Sequence, residues 1–550
     1  MTESAPQTEL PPPPSEDPSL LGLINTTDHR RIGRMFMVVS TMVLVATLVL
    51  EVLVRLDLTS SDGFVVLDES TWAQAYALTR DGFVFLFLVP FFLGLAINVV
   101  PLQIGAGRLA FPRAALASFW TWMFGAVALV GAYLANGGPF GGTRLDSEGV
   151  DLHLIALGTV ITALLLGAIT VATTIFSMRA PGLHMDQLPA FSWASLVTAI
   201  GLLLSMPVLL ANLALLYIDH RYSTRFDFDF LGGNAGIWQH IEWVYRTPQL
   251  FLFIVPVLGV IGEILPVTAG RRVVAGAIAT AGVGAVGVFG IGAWAQLGGV
   301  EGNKVADGWQ GIVYLGFIAG AGLGIFIAVM LNIITVAASK RIPKSGPAFS
   351  ALIASVMVLL AAAVAVAGAL LDWLESVNAF DMDPAIALRF TTWNTAAFQL
   401  LVLGAGAAGA LAAHTWWAPI ICGRKTMAGP GFLAALAIGA GAIVAALGSV
   451  LAGIVSGQPG GPFTNSIYSG LEDPSEAFNT IAALGTILVA AGAAVMLLNV
   501  VVSIFLKKGP EAGDNPWEAF TPEWESEMGL PALASGTPLL DAREEQEVGV

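Results

Sequence analysis

The residues of this chain whose types could do chemistry are few and scattered. Among its 550 residues are six histidines, His29, His153, His184, His220, His240 and His414, and one cysteine, Cys422. A single cysteine excludes an internal disulfide and any cysteine-based metal cluster. Inside an apolar run it reads as a small packing residue. Glu51 and Glu263 also lie inside apolar runs, where ionisable side chains are functional candidates by default. Each is within about one to two turns of a run's end, so snorkelling or a helix-end hydrogen bond is the plainer expectation. The amides Gln249, Gln296, Asn394 and Gln399 fall in or near such runs, where the expected role is hydrogen bonding between helices at about 1 kcal/mol each. One short stretch, Thr247-Pro248-Gln249-Leu250-Phe251, puts a proline where a membrane-length run begins, a placement that suits a helix start.

The elements that must position these residues are membrane helices. The chain is 56% hydrophobic and 11% charged, with a mean hydropathy of +0.78, too little charge to cover a soluble protein of this length. Apolar runs of about 20 residues recur, each long enough for a hydrocarbon core about 30 Å thick. Twelve spans are predicted: 34–55, 83–103, 111–134, 152–178, 190–218, 248–268, 273–298, 311–338, 347–371, 391–419, 431–455 and 477–506. The fold class is therefore all-α, a polytopic helical bundle. On this count Arg30, Arg31, Arg34, Arg108, Arg113, Arg179, Arg271, Arg272, Lys340, Arg341, Lys344, Arg424, Lys425, Lys507 and Lys508 all fall on one side. The opposite loops carry Asp57, Asp62, Asp68, Glu69, Asp146, Glu148, Asp151, Asp381, Asp383, Glu472, Asp473 and Glu476. Basic loops stay cytoplasmic, so both termini are expected there. Spans such as "LVLGAGAAGALAA" are rich in glycine and alanine, which let helix backbones approach where lipid supplies no hydrophobic drive.

Residues 1–30 form a proline-rich tail without a basic n-region or cleavage site, so it does not read as a signal peptide; residues 31–508 form the membrane domain, and 509–550 an acidic tail expected along the cytoplasmic surface. The net charge of −15 argues against a nucleic-acid partner. The bilayer is the first partner the composition implies.

Several stretches, taken together, resemble subunit I of the haem–copper oxidases. They are "TTDHRRIGRMF" (26–36), "PLQIGAGRLAFPRAALASFW" (101–120), "TTIFSMRAPGLHMDQLPAFSW" (173–193), "LLSMPVLLANLALLYIDH" (203–220) and "NPWEAFTPEWE" (515–525). The resemblance runs in order along nearly the whole chain and is stronger before about residue 270. It implies a twelve-helix bundle holding two haems and copper, coupling oxygen reduction to proton pumping.

The resemblance also assigns positions. A family His-Pro-Glu-Val-Tyr motif, carrying a copper ligand, a proton carrier and a redox-active phenol, aligns with Thr247-Pro248-Gln249-Leu250-Phe251. The His-His copper pair after Trp-Ala falls at Gln296 and Leu297, following Trp294-Ala295. The haem-binding His before Gly in the second helix falls at Asp81-Gly82. The His-x-His pair of the tenth helix falls in "TTWNTAAFQLL", near Ala396 and Phe398, and the eighth-helix lysine falls near Phe326. Haem iron takes an axial His, Met, Cys or Tyr, and the copper centre takes clustered imidazoles. Of the histidines only His414 is expected well inside a span. The sequence-based expectation is therefore no catalytic, cofactor-binding or metal-binding residue and no bound haem or copper. The vacated space is expected to be either collapsed or filled by bulky side chains such as Phe251, Phe326, Trp393 and Phe398, and Asp81 to be a solvated or capping carboxylate at an outer helix end.

On these grounds the expected function is a non-catalytic accessory or structural subunit, associated with other membrane subunits of a respiratory complex in a bacterial cytoplasmic membrane. The alternatives are a terminal oxidase subunit, as the resemblance implies, and a transporter or ligand-binding protein using the cofactor cavity. The charge alternation makes a topology prediction. Reporters fused after Gly232 and after Lys344 should report outside and inside respectively, and one compartment for both would break the twelve-span assignment.

Overall fold

The structure is a computed structural model, and it describes residues 24–60, 65–139, 147–222, 237–295 (239 excepted), 309–341, 345–376, 391–460, 475–525 and 535–548, with Gly22, Leu388 and Leu533. Among the described residues helices dominate, and only isolated bridges stand where strands would. In chain order they are α1 (His29–Asp57), α2 (Ser70–Gln103), α3 (Pro112–Leu134), α4 (Ser147–Ser177), α5 (Ala190–Tyr222) and α6 (Gln249–Ala269). There follow α7 (Gly276–Phe289), α8 (Trp309–Ser339), α9 (Gly346–Ser376), α10 (Thr392–Cys422), α11 (Ala428–Val455), α12 (Ser475–Phe505) and a C-terminal α13 (Pro538–Val548). Eleven of these described helices are long and apolar enough to cross a membrane, and α7 is the short twelfth.

Local chemistry sets the boundaries. Asp28 caps α1 by accepting the Arg30 N–H at 2.9 Å, and Asp68 caps α2 by accepting from Thr71 N at 2.9 Å, each meeting a donor the first turn leaves unpaired. Gly270 and Gly423 end α6 and α10 in the left-handed conformation that glycine adopts without strain.

The bundle has a centre and a ring. The apolar windows of α2 and α10 are 100% buried and that of α6 is 89% buried, against 39–61% for the other long helices. Ring helices turn residues such as Phe124, Val127, Leu134 and Leu498 outward, as a lipid-facing surface requires. Within the ring, α11 and α12 meet at Gly441 and Gly485, where an added Cβ would lie 2.7 Å from Gly485 O and 2.2 Å from Ala445 N respectively. Both central helices α2 and α10 contain a π-helical stretch, Gly82–Leu88 and Gln399–Gly406, a widening of the backbone that is frequent at functional sites.

Two spans differ most from their sequence-based bounds. The second begins at Ser70 rather than 83, because Arg80 and Asp81 are accommodated inside it. The seventh, expected at 273–298, runs only from Gly276 to Phe289, about 21 Å at 1.5 Å per residue. It breaks at Gly290, whose backbone abuts Leu252 of α6 closely enough that a Cβ would lie 2.9 Å from the Leu252 nitrogen. The following Gly292 N–H is drawn out of the helical ladder by Gln249 Oε1 at 2.8 Å. The described part of the C-terminal tail folds back on the end of the bundle that carries the basic loops: Trp517 Nε1 donates to Trp416 O at 3.0 Å, and Leu533 N to Pro181 O at 3.0 Å.

Candidate functional site

Two ionic clusters sit side by side on α2, facing different neighbours. The first is centred on Asp81, which is 1% exposed. Its Oδ2 accepts from the Tyr133 hydroxyl of α3 at 2.6 Å, and its Oδ1 accepts from the Tyr245 hydroxyl in the short turn before α6. His153 of α4 places Nε2 3.7 Å from the same Oδ2 and 3.3 Å from the Tyr133 oxygen. Trp238 stacks on the Tyr245 ring at 5.4 Å. Three chain segments are thus pinned to one carboxylate of α2. A carboxylate in an apolar interior is tolerated only with such charge-assisted bonds. Asp81 is therefore not the solvated or capping residue expected from the sequence: α2 continues for about four turns beyond the expected start, and the phenols take the place of water.

The second cluster is Glu51, Arg55 and Arg80. Arg55 Nε donates to Glu51 Oε1 at 2.9 Å within α1, and Arg80 Nη2 of α2 lies 3.7 Å from the same oxygen. The Arg80 guanidinium is sandwiched between Tyr76 at 4.6 Å and Phe398 of α10 at 4.3 Å, an arrangement in which ring faces replace part of the lost hydration. Glu51 is fully buried, which overturns the snorkelling expectation: its partner Arg80 comes from another helix and was not among the residues singled out in the sequence.

At the opposite, basic end, Glu263 accepts from the Phe191 N–H at 3.0 Å, so it does make a helix-end bond, but to the first turn of α5 rather than its own helix. It also accepts from Gln103 Nε2 at 3.1 Å, and that nitrogen donates to Glu523 of the tail at 3.0 Å. Burial pushes the Glu523 carboxyl above the ordinary range.

The positions assigned by resemblance are engaged with protein. Thr247 is buried and its carbonyl accepts from Tyr314 of α8 at 3.2 Å. Gln249 donates to Ser205 Oγ of α5 at 3.2 Å while accepting from Gly292, the interhelical role expected for it. Gln399 is fully buried with neither amide atom hydrogen-bonded among the described residues, so that role does not extend to it. Ala396, Phe398 and Phe251 are buried. Phe326 is 53% exposed on the lipid-facing side of α8 and fills no interior space, because the α8 turn carrying it faces outward. Trp393 is half-buried and ties α10 to α9 through Val364 O at 2.9 Å. Gln296 and Leu297 lie outside the described residues. His414 is buried on α10 against Phe91, 2.9 Å from Thr41 Oγ1. His153 is also wholly buried, which the expectation for His414 alone did not anticipate.

Among the described residues no group of three or more His, Cys, Asp or Glu side chains is placed to hold a metal ion. At the described assigned positions the side chains are a phenol-bound carboxylate, a hydroxyl, an amide and hydrocarbon, none of them an imidazole.

Comparison with known proteins gives the kinship of the chain. Residues 31–296 match the family model described as Cytochrome C and Quinol oxidase polypeptide I. The chain is 28% identical over 526 residues to the Heme-copper oxidase subunit I+III of Aeropyrum pernix, covering 91% of this chain and 60% of that one. It is 26% identical over 522 residues to the Cytochrome c oxidase subunit 1 of Alkalihalophilus pseudofirmus, covering 92% and 79%. Over 257 residues it is 30% identical to the Cytochrome c oxidase subunit 1 of Bacillus subtilis, 45% of this chain and 41% of that one. Relatives from Streptomyces, 32–33% identical, are matched over only 44–45% of their own length. These matches correct the expectation of a chain with neither haem nor copper, since relatives that run along nine tenths of it are named haem–copper and cytochrome c oxidases.

The Glu51 cluster makes a stability prediction. Glu51→Gln leaves two buried guanidiniums without their carboxylate and is expected to cost about 3–5 kcal/mol, read as a lowered melting temperature of the detergent-solubilised protein. Glu51→Leu combined with Arg80→Met should recover part of the loss. An unchanged melting temperature for Glu51→Gln would show that the cluster bears no charge-pairing load.

Proposed function

The chain is a haem–copper oxidase subunit I-like membrane protein, and from that premise we propose that it serves as a non-catalytic structural subunit of a respiratory membrane complex. On this reading both termini face the cytoplasm of a bacterial inner membrane, the oxygen-reducing step belongs to a partner subunit, and α2, α6 and α10 act as a rigid hub.

The observation that carries the reading is the commitment of Asp81. It stands where the resemblance places a haem-binding side chain, and both its oxygens are taken by phenols from α3 and from the turn before α6. A group so held is preorganised for packing three helices together, and reusing it for chemistry would mean breaking two charge-assisted hydrogen bonds, each worth about 1.5–3 kcal/mol. The excess of basic residues on one set of loops supports the orientation.

A second reading, a terminal oxidase subunit, is favoured by one observation: the relatives aligned along 91–92% of the chain carry oxidase names. On that reading the two haems and copper of the family come with the fold.

Oxygen uptake separates the two. The affinity-tagged full chain, purified with its partners, should co-purify with another membrane subunit. Replacing Asp81 by Asn should leave the oxygen-uptake rate of that assembly with ascorbate-reduced cytochrome c unchanged per assembled complex while lowering the amount assembled. Sustained oxygen uptake by the chain purified alone would overturn the proposal and establish the oxidase.

A further inference from the structure

A cavity of about 460 Å³ lies at the basic end of the bundle, away from both ionic clusters on α2. Its walls are the first turns of α5 and α7, the last turns of α6 and the Ala328–Asn332 stretch of α8. The tail closes it from below with Phe520 and Leu540. The volume is in the range of small-molecule sites, which combine an apolar lining with a few convergent polar groups.

The buried polar atom left unpaired in the cavity lining is an acceptor. Asn332 spends its Nδ2 on Ala328 O at 2.9 Å and leaves Oδ1 buried without a hydrogen bond, the side chain being 5% exposed. Glu263 lines the same cavity. It shares the Gln103 amide nitrogen with Glu523, whose Oε2 is likewise buried without a hydrogen bond. Among the described residues Glu263 and Glu523 meet neutral donors, the Gln103 amide, the Phe191 N–H and the Trp417 indole, and buried carboxyls so placed need a cation or must take up a proton. Arg272, the cationic side chain lining the cavity, does not supply it: its Nη2 pairs with Asp541 and Glu544 of α13, and its Nη1 donates to Thr537. The Trp193 indole N–H is spent on Thr280 O at 3.0 Å. What the cavity leaves unmet among the described residues is an acceptor, Asn332 Oδ1, in a lining that also holds the Glu263 carboxyl.

We infer that this cavity binds a small organic cation, a protonated amine on an apolar body, with its ammonium between Glu263 and Asn332 and its body against Trp193, Leu258 and Val283. An ammonium offers three donors, which suits a cavity lined by both an unpaired amide oxygen and a carboxyl. The site stands independently of the structural-subunit reading, since it involves neither Asp81 nor the α2 clusters.

The test uses the full chain in detergent and three matched probes, 2-phenylethylamine, 2-phenylethanol and 3-phenylpropanoate, followed by calorimetric titration at pH 7. The amine should bind saturably, with the alcohol and the carboxylate at least about tenfold weaker. Glu263→Gln and Asn332→Leu should each weaken amine binding about tenfold or more, the scale expected when one partner of a buried charge pair is truncated. Ala279→Trp, which fills the cavity, should abolish binding, and a thermal melt of each variant confirms that it is folded. Absence of saturable amine binding, equal binding of the alcohol, or amine binding unchanged by a folded Ala279→Trp or Asn332→Leu variant would each overturn the assignment.

Discussion

A protein interior has no bulk water to solvate charge, and α2 carries the adjacent charges Arg80 and Asp81 into that interior. Everything at the centre of the bundle depends on how the two are neutralised. Successive residues of a helix point in different directions, so the pair cannot satisfy itself and each must recruit a different set of neighbours. Arg80 turns to Glu51 of α1 and to the Tyr76 and Phe398 rings. Asp81 turns to Tyr133 of α3, His153 of α4 and Tyr245 before α6. Removing one member from such a set exposes the others to the full desolvation penalty, which makes these contacts a specification of helix arrangement rather than a surplus of attraction.

The same constraint explains why α2 outlasts its hydropathy. Without partners, Arg80 and Asp81 would end a span; with them the helix continues to Ser70 and gains the π-helical stretch beside Gly82. That stretch lies against its counterpart on α10, so the two widened backbones and the Phe83–Phe398 edge contact at 6.1 Å meet at the centre. At the far end, Gln103 ties the same helix to α6 and to the C-terminal tail through Glu263 and Glu523. One central helix is therefore anchored at each end by polar groups and packed by hydrocarbon between them.

Much of this was legible in the sequence, for identifiable reasons. Long apolar runs and alternating loop charge depend on bilayer thickness and on membrane insertion, both local properties, so the helix order came through. The interhelical role of Gln249 came through as well, because a buried amide must find a partner. What stayed hidden was pairing across distant segments. Nothing near Asp81 announces Tyr133 or Tyr245, which lie 52 and 164 residues further along, and Glu51 looked like a helix-end residue because Arg80 had been counted as loop. Phe326 was misplaced because an apolar residue on a membrane helix is equally at home against lipid or core. The Arg80-Asp81 doublet at the edge of an apolar run was the signal available: two opposite charges there ask for partners rather than for solvent. The sequence alone also led to the expectation of no haem and no copper, which the relatives named as oxidases overturn.

The central claim is that Asp81 is held as a carboxylate by Tyr133 and Tyr245 and serves the packing of the bundle. A double-mutant cycle on Asp81→Asn and Tyr245→Phe, read by reversible unfolding of the detergent-solubilised protein, tests it directly. The account predicts a coupling of about 1.5–3 kcal/mol, the worth of a hydrogen bond to a charged group. Additive effects, with a coupling near zero, would mean that the two side chains do not meet in the folded protein and would contradict it.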